Sequence, residues 1–348
     1  MVSALSAPHF HDEKAAFAYV EARVWPEGPV CPHCGGVERI GLMGGKSTRV
    51  GLYKCYQCRK PFTVRIGTIF EGSHVALHIW LQAMYLIAGS KKGISSNQLH
   101  RTLGVTLKTA WFMSHRIREA MANHAPMVFG SGGTPVEVDE TYIGQKEGVE
   151  QARGGFRHKM RVVSLIDRAT GEARSIDANK MVIGEIADIV YNNVARQAKL
   201  YTDEARHYWA IGAQFAAHET TVHARGEYVR GDVHTNTIEG FFSIFKRGMK
   251  GVYQFCNEKH LHRYLAEFDF RYSNRVAFGY IDADRADILL PASSASGSPI
   301  KGLIKEPDRN AEEEAWNDTG AAKRGVSKGR SRTRCRWRTK PHRGRRRA

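Results

Sequence analysis

No stretch of this chain is apolar for long enough to cross a bilayer. The longest mostly apolar run, Ile79 to Ala88, has about half the length a membrane-spanning helix needs, and Asp12, Glu13 and Lys14 interrupt the apolar residues near the N-terminus. Cysteine is scarce, six in 348 residues, which excludes a disulfide-dense secreted scaffold and points to a cytoplasmic protein. No P-loop is present to bind a nucleotide. Acidic residues are missing altogether from residues 321–348, where 3 Lys and 10 Arg supply thirteen of the seventeen net positive charges and leave residues 1–320 only mildly basic. Such an Arg-rich end fits sequence-independent phosphate contact through counterion release, and equally fits a solvated, disordered extension. What remains, 42% apolar and 25% charged residues, is the composition of an ordinary globular protein of about two domains.

Four of the six cysteines carry a pattern. Cys31-Pro-His-Cys34 and Cys55-Tyr-Gln-Cys58 are two C-x2-C pairs separated by 20 residues, and each pair suits a tight knuckle that turns two thiolates to one side. Two knuckles on adjacent hairpins complete a tetrahedral Zn²⁺ site, a zinc ribbon over residues 28–66. Four thiolates leave no open position for water, so this zinc reads as structural. Redox dithiols or buried free thiols also fit the pairs. Cys256 reads as an ordinary buried residue.

Helical spacing of Phe10, Ala15, Phe17, Val20 and Val24 predicts a helix over 9–25, which with the ribbon makes a first unit of residues 1–68. Helices are expected at 78–88, 96–103 and 107–121, the last two joined by Gly104-Val105-Thr106. Helix, glycine turn, helix is the order of a helix-turn-helix, and Lys108 and Arg116 on its second helix are candidate DNA contacts within a region of residues 74–124. Two core helices with a basic face fit the same pattern.

The breaker-rich segment 125–134 reads as a domain boundary. Strands are then expected at 136–143, 159–167, 172–178, 199–203 and 220–224, with helices at 181–194, 204–216 and 237–249. This order predicts a mixed α/β sheet over residues 135–292. Asp139 lies on the first of these strands, Asp203 ends the fourth, and Glu239 opens the last helix. Carboxylates on neighbouring strand ends and one helix suit a pair of hard divalent cations. Each also fits a bland role: a solvated strand residue, a helix cap, and the third position of a capping box begun by Asn236. Lys246 lies two turns beyond Glu239 on the same helix, with Arg247 beside it, where a DNA phosphate can be reached. Ile238, Phe241, Phe242 and Phe245 form the inward stripe.

Val136-Glu-Val-Asp139-Glu-Thr-Tyr-Ile-Gly, Tyr201-Thr-Asp203-Glu and His234-Thr-Asn-Thr-Ile-Glu239-Gly-Phe-Phe-Ser-Ile-Phe-Lys246-Arg-Gly resemble the signature blocks of ISXO-like insertion-sequence transposases. The resemblance extends through Gly251-Val-Tyr and His262 to Asn274, and back to Lys108-Thr-Ala-Trp-Phe-Met and the paired cysteines. It covers roughly residues 12–278 and departs at Ser273, where Asn is expected. It implies a ribonuclease-H-like core in which Asp139, Asp203 and Glu239 bind Mg²⁺ or Mn²⁺, behind a zinc ribbon that helps hold DNA. His223 and His234 are further candidate DNA contacts.

The activity so implied is transposition: cutting element ends and joining the freed 3′-OH to target DNA. The partners implied are double-stranded DNA and further copies of this chain, as a dimer or larger assembly at the nucleoid. A catalytically silent DNA-binding regulator and a nuclease that cuts without joining are the competing readings. Residues 293–348 have no counterpart in the resemblance and read as a disordered basic tail.

Overall fold

A computed structural model describes residues 3–123, 128–151, 154–221 and 229–292. Helix α1 (Glu13–Val24) starts at Asp12, whose side chain accepts the Ala15 N–H at 2.7 Å, and buries Ala16, Phe17 and Val20. Three short antiparallel strands follow in the order β1 (Ile40–Leu42), β2 (Tyr53–Cys55) and β3 (Pro61–Phe62). Trp25, Tyr53 and Phe62 pack against the buried Cys31 and Cys55, giving this small sheet its own core. Glu13 then accepts the first N–H groups of α2 (Leu77–Gly89), from Leu77 at 2.8 Å and His78 at 3.2 Å, so the first helix caps the second.

Helix α3 (Ser96–Leu103) ends on Gly104, whose φ of 67° is the left-handed conformation that stops a helix at little cost for glycine. Thr106 caps α4 (Leu107–Met121) through the Thr109 N–H. Local helix–turn–helix order is therefore present. However, α4 is buried from Met113 to Arg118 and again at Ala120 and Met121, packing into one core with α1 and α2. A recognition helix needs a free face, and past its first turn α4 exposes only Phe112 among residues 110–118.

The second sheet has five strands: β4 (Pro135–Ile143), β5 (Met160–Asp167), β6 (Ala173–Asp177), β7 (Lys199–Thr202) and β8 (Ala217–Thr220). Their order is β6-β5-β4-β7-β8, antiparallel across the first three and parallel across the last three. Period-two alternation divides its sides. Val136 and Val138 of β4 join the core built with α5 (Ile183–Asn193) and α6 (His207–Gly212), whereas Ile143 joins the core built with α7 (Asn236–Gly248) and α8 (Leu261–Ser273). The loop before β4 docks through Gly130 (φ 73°), where a Cβ would lie 2.3 Å from that of Ala198. Its N–H donates to Asp167 at 2.7 Å.

Two expected elements differ. The helix expected over 204–216 is confined to α6, because Gly212 lies against the His218 ring and the chain turns there to bring β8 beside β7. The strand expected at 220–224 is consequently β8, Ala217–Thr220; residues 222–228 and the basic segment 293–348 lie outside the described residues. Helices α8 and α9 (Asp282–Ala292) are additions, with Leu289 and Leu290 of α9 filling the N-terminal core. No helix among the described residues is long and apolar enough to cross a membrane.

Helices α4 and α8 are tied by a buried ionic cluster. Glu267, fully buried, accepts from Arg118 Nε at 2.6 Å, from Tyr253 Oη at 2.5 Å and from Arg271. Burial pushes the Glu267 carboxyl up, but Arg271 and Arg118 hold it below its usual range. Removing the carboxylate strands two guanidinium groups in the interior. Glu267→Ala is expected to lower the unfolding free energy by about 3–5 kcal/mol in urea denaturation; a loss below about 1 kcal/mol contradicts the tie.

Candidate active site

Parallel pairing of β4 with β7 sets the site. Glu137 is the register partner of Tyr201, so two residues further along both strands Asp139 stands level with Asp203, the first residue beyond β7. Asp139 Oδ1 accepts the Glu140 N–H at 2.7 Å, and Asp203 Oδ1 accepts the Ala205 N–H at 3.1 Å, so each carboxylate is steadied by backbone. Asp203 does not cap α6, which follows Arg206 instead.

Glu239 comes from α7, which lies over the face of β4 that carries Glu137 and Asp139. Ile238, Phe241, Phe242 and Phe245 are buried, as the stripe requires, and leave Glu239 on the exposed side of the first turn. The helix begins one residue earlier than the capping reading had it: Thr235 is the cap residue and Asn236 the first helical one. Thr235 Oγ1 donates to Glu239 at 3.1 Å.

Asp139 carries the mark of its surroundings. Asp139 is pushed up to about 7, first by burial and then by the Asp203 charge, with Glu239 and Glu140 adding to it. A carboxyl group raised by burial and, after it, by carboxylate neighbours marks a site short of positive charge, and three hard oxygen donors on two strand ends and a helix suit a divalent cation. They are looser than the cysteines, the only group of three or more candidate ligand atoms within 4.8 Å of one another among the described residues.

The other expected contacts separate. Lys246 and Arg247 are exposed on α7, with Arg247 Nε donating to Ser243 O at 3.0 Å, and Lys108 is exposed on the first turn of α4. Arg116 is a correction. Its guanidinium is buried and donates to the carbonyls of Ile69 at 2.7 Å and Glu71 at 2.6 Å, so it braces the segment before α2 and does not face solvent. His234 is half-buried and receives Arg168 Nη2 at 2.6 Å on its Nδ1. His223 lies outside the described residues.

Comparison with known proteins matches residues 131–273 to the ISXO2-like transposase domain and residues 11–61 to the transposase zinc-ribbon domain. An uncharacterized protein in transposable element ISH50 of Halobacterium salinarum is 30% identical over 277 residues, 75% of this chain and 90% of that relative. The chain belongs to the ISXO2-like transposase family. The five-strand sheet of this transposase is ribonuclease-H-like, as the resemblance implies.

The four cysteines of the transposase fit zinc. Cys31 and Cys58 sulfurs are 3.7 Å apart, and so are those of Cys34 and Cys55. A tetrahedron with Zn–S bonds of about 2.3 Å has edges of about 3.8 Å. Cys256 is buried and donates to Asn257 O at 3.3 Å, apart from this cluster.

Sequence reasoning missed Glu137 and Arg168. Glu137 is fully buried, accepts Arg168 Nε at 2.5 Å on one oxygen and the Ile238 N–H at 2.8 Å on the other. The available signal was alternation: an acid two residues before Asp139 shares its face, flanked by inward Val136 and Val138 on the other.

Ionising Asp139 in the fold has a cost with a defined pH window. Its folded carboxyl keeps its proton to about pH 7, against 3.8 for an ordinary aspartate, so the penalty is absent below about pH 4 and complete above about pH 7. Asp139→Asn is expected to raise the melting temperature of zinc-loaded protein, without added Mg²⁺, more at pH 8 than at pH 5, by about 2–4 °C per kcal/mol relieved. An equal or negative change at pH 8 contradicts the charge cluster.

Proposed function

We propose that this transposase cuts the ends of its insertion sequence and joins the freed 3′-OH to target DNA in one carboxylate site. The observation that carries the reading is the placement of Asp139 and Asp203 at the ends of adjacent parallel strands, with Glu239 on the helix laid over them, where burial first and the neighbouring acids second raise the Asp139 carboxyl to about 7. Asp139, Asp203 and Glu239 would hold Mg²⁺ or Mn²⁺. When bound, a pair of such ions lowers the pKa of an attacking water or 3′-OH and stabilises the leaving oxygen at phosphorus.

The protein's own residues supply the rest. Lys246 lies about 10 Å along the axis of α7 from Glu239, seven residues at 1.5 Å each, a distance suited to holding a phosphate beside the scissile one. Arg247 and Lys108 add exposed positive charge for backbone phosphates. His234, tethered by Arg168, sits at the entrance of the same helix, and the zinc ribbon grips DNA outside the site. In the first step water attacks the phosphodiester at the element end, one P–O bond forms as another breaks, and the 3′-oxygen leaves with a proton. In the second, that 3′-OH attacks a target phosphodiester and the target's 3′-oxygen departs. One phosphodiester is exchanged for another, so no external energy source is required.

We assign residues 1–68 to the ribbon unit, 74–124 to a helix-turn-helix-like region whose DNA contacts are confined to the first turn of α4, and 135–292 to catalysis. The two ends of one element call for a dimer or larger assembly on DNA, at the nucleoid.

The test is an assay with linear DNA carrying the element ends, a supercoiled target and Mg²⁺ or Mn²⁺. Wild-type protein is expected to release 3′-OH ends and join them, and Asp139→Asn, Asp203→Asn and Glu239→Gln each to lose both steps by about a thousandfold or more while still binding DNA, the scale on which unit-acting catalytic groups fail. Cleavage without joining favours the nuclease; binding without cleavage, unchanged by Asp203→Asn, favours the regulator.

A further inference from the structure

Helix α7 carries Glu239 but does not cap itself. Its cap residue, Thr235, makes no side-chain bond to the helix N–H groups, because its hydroxyl is directed to Glu239. An uncapped first turn leaves its N–H groups without intrahelical partners. One of these is satisfied from another element: the Ile238 N–H donates to Glu137 Oε2 at 2.8 Å, across a sequence distance of 101 residues. Ile238 immediately precedes Glu239, and Glu137 stands two residues before Asp139 on the same face of β4. One buried carboxylate thus spans the gap between the elements that carry the first and third acids.

Glu137 is itself held in place. Its other oxygen receives Arg168 Nε at 2.5 Å, and His234 Nδ1 stands 3.5 Å from it. The same guanidinium donates to Asp232 O at 2.5 Å and to His234 O and Nδ1 at 2.6 Å each, taking up the turn that leads into α7. Arg168 lies just beyond the end of β5, the strand paired with β4, and its side chain lies 4.9 Å from the Tyr201 ring on β7. The Glu137 carboxylate is matched by Arg168 and fully buried, whereas the neighbouring Asp139 faces only further acids among its main electrostatic partners.

We infer that Glu137, locked by Arg168, is a positioning residue that fixes the Glu239 carboxylate relative to Asp139 and Asp203 by capping α7 from strand β4. It binds no metal and touches no substrate. The helix macrodipole favours this placement, since the positive end of α7 meets a carboxylate. Loss of the cap frees the first turn of α7 to shift or fray, and the third acid moves with it. This inference rests on the three-carboxylate reading of the site.

The experiment is a Mn²⁺ titration of the full zinc-loaded chain, followed by electron paramagnetic resonance, on wild type, Glu137→Ala, Glu137→Gln, Asp139→Asn, Glu239→Gln and the double variant Glu137→Ala/Glu239→Gln. Glu137→Ala is expected to weaken Mn²⁺ binding about 10–100-fold, the range for residues that orient ligands without being ligands. Glu137→Gln keeps an oxygen for the Ile238 N–H but turns its NH2 group toward Arg168, and is expected to recover only part of that loss. In the Glu239→Gln background, Glu137→Ala is expected to add nothing, since the residue it positions no longer binds. Should Glu137→Ala not fold, Arg168→Met releases the same carboxylate from a partly exposed position and is expected to show the same dependence on Glu239.

Unchanged Mn²⁺ affinity in Glu137→Ala, or the same loss with and without Glu239, overturns the positioning role while leaving the three-acid site standing. Unchanged affinity in Asp139→Asn and Glu239→Gln overturns the site reading and this inference together.

Discussion

Adjacent parallel strands place equivalent residues about 4.8 Å apart, and the pairing of β4 with β7, which runs to Glu137 and Tyr201, directs Asp139 and Asp203 two residues further on to the same end of the sheet. At an effective dielectric of about 20, two carboxylates about 5 Å apart repel by about 3 kcal/mol. A fold selected for stability alone has no reason to keep that arrangement with a third acid above it. Kept together, they make the fold's own electrostatics incomplete, and burial together with the neighbouring acids raises the Asp139 carboxyl to about 7. The rest of the molecule maintains this strained arrangement: α7 is pressed onto the sheet by four buried side chains, and its first turn is pinned from the strand below.

The N-terminal half is joined to this core more firmly than a linker between independent modules. Arg118 of α4 and Glu267 of α8 meet where no water reaches, and α9 returns to pack against α1 and α2. Tyr19 and Arg23 of α1 both bond Asp287 of α9. The zinc ribbon rides on the same framework, since Tyr53 of β2 donates to Glu21 of α1 at 3.0 Å. In the proposed function, an element end gripped by the ribbon would therefore be held in a set relation to the carboxylates, which suits chemistry that depends on position more than on any reactive side chain.

Much of this was legible in the chain itself. The cysteine spacing gave the ribbon because thiolate geometry is local, and the strand carrying Asp139 and the stripe on α7 followed from periodicities of two and 3.6. What was hidden depended on partners distant in sequence. Arg116 looked like a surface cation by composition, yet its guanidinium fills the space under residues 69–71, a contact no local pattern encodes. Glu137 drew no notice in the sequence because its two partners lie 31 and 101 residues away. The early end of α6 followed from the contact of Gly212 with His218, also tertiary. Local rules and the family resemblance thus pointed to the three acids and did not reach the groups packed around them.

The most direct measurement is a structure of this chain on element-end DNA with Mn²⁺, located by anomalous scattering. The account predicts manganese density bounded by the carboxylates of Asp139, Asp203 and Glu239, with the scissile phosphate against it. Manganese elsewhere, or Glu239 bonded to Thr235 alone while the phosphate lies away from both aspartates, contradicts it.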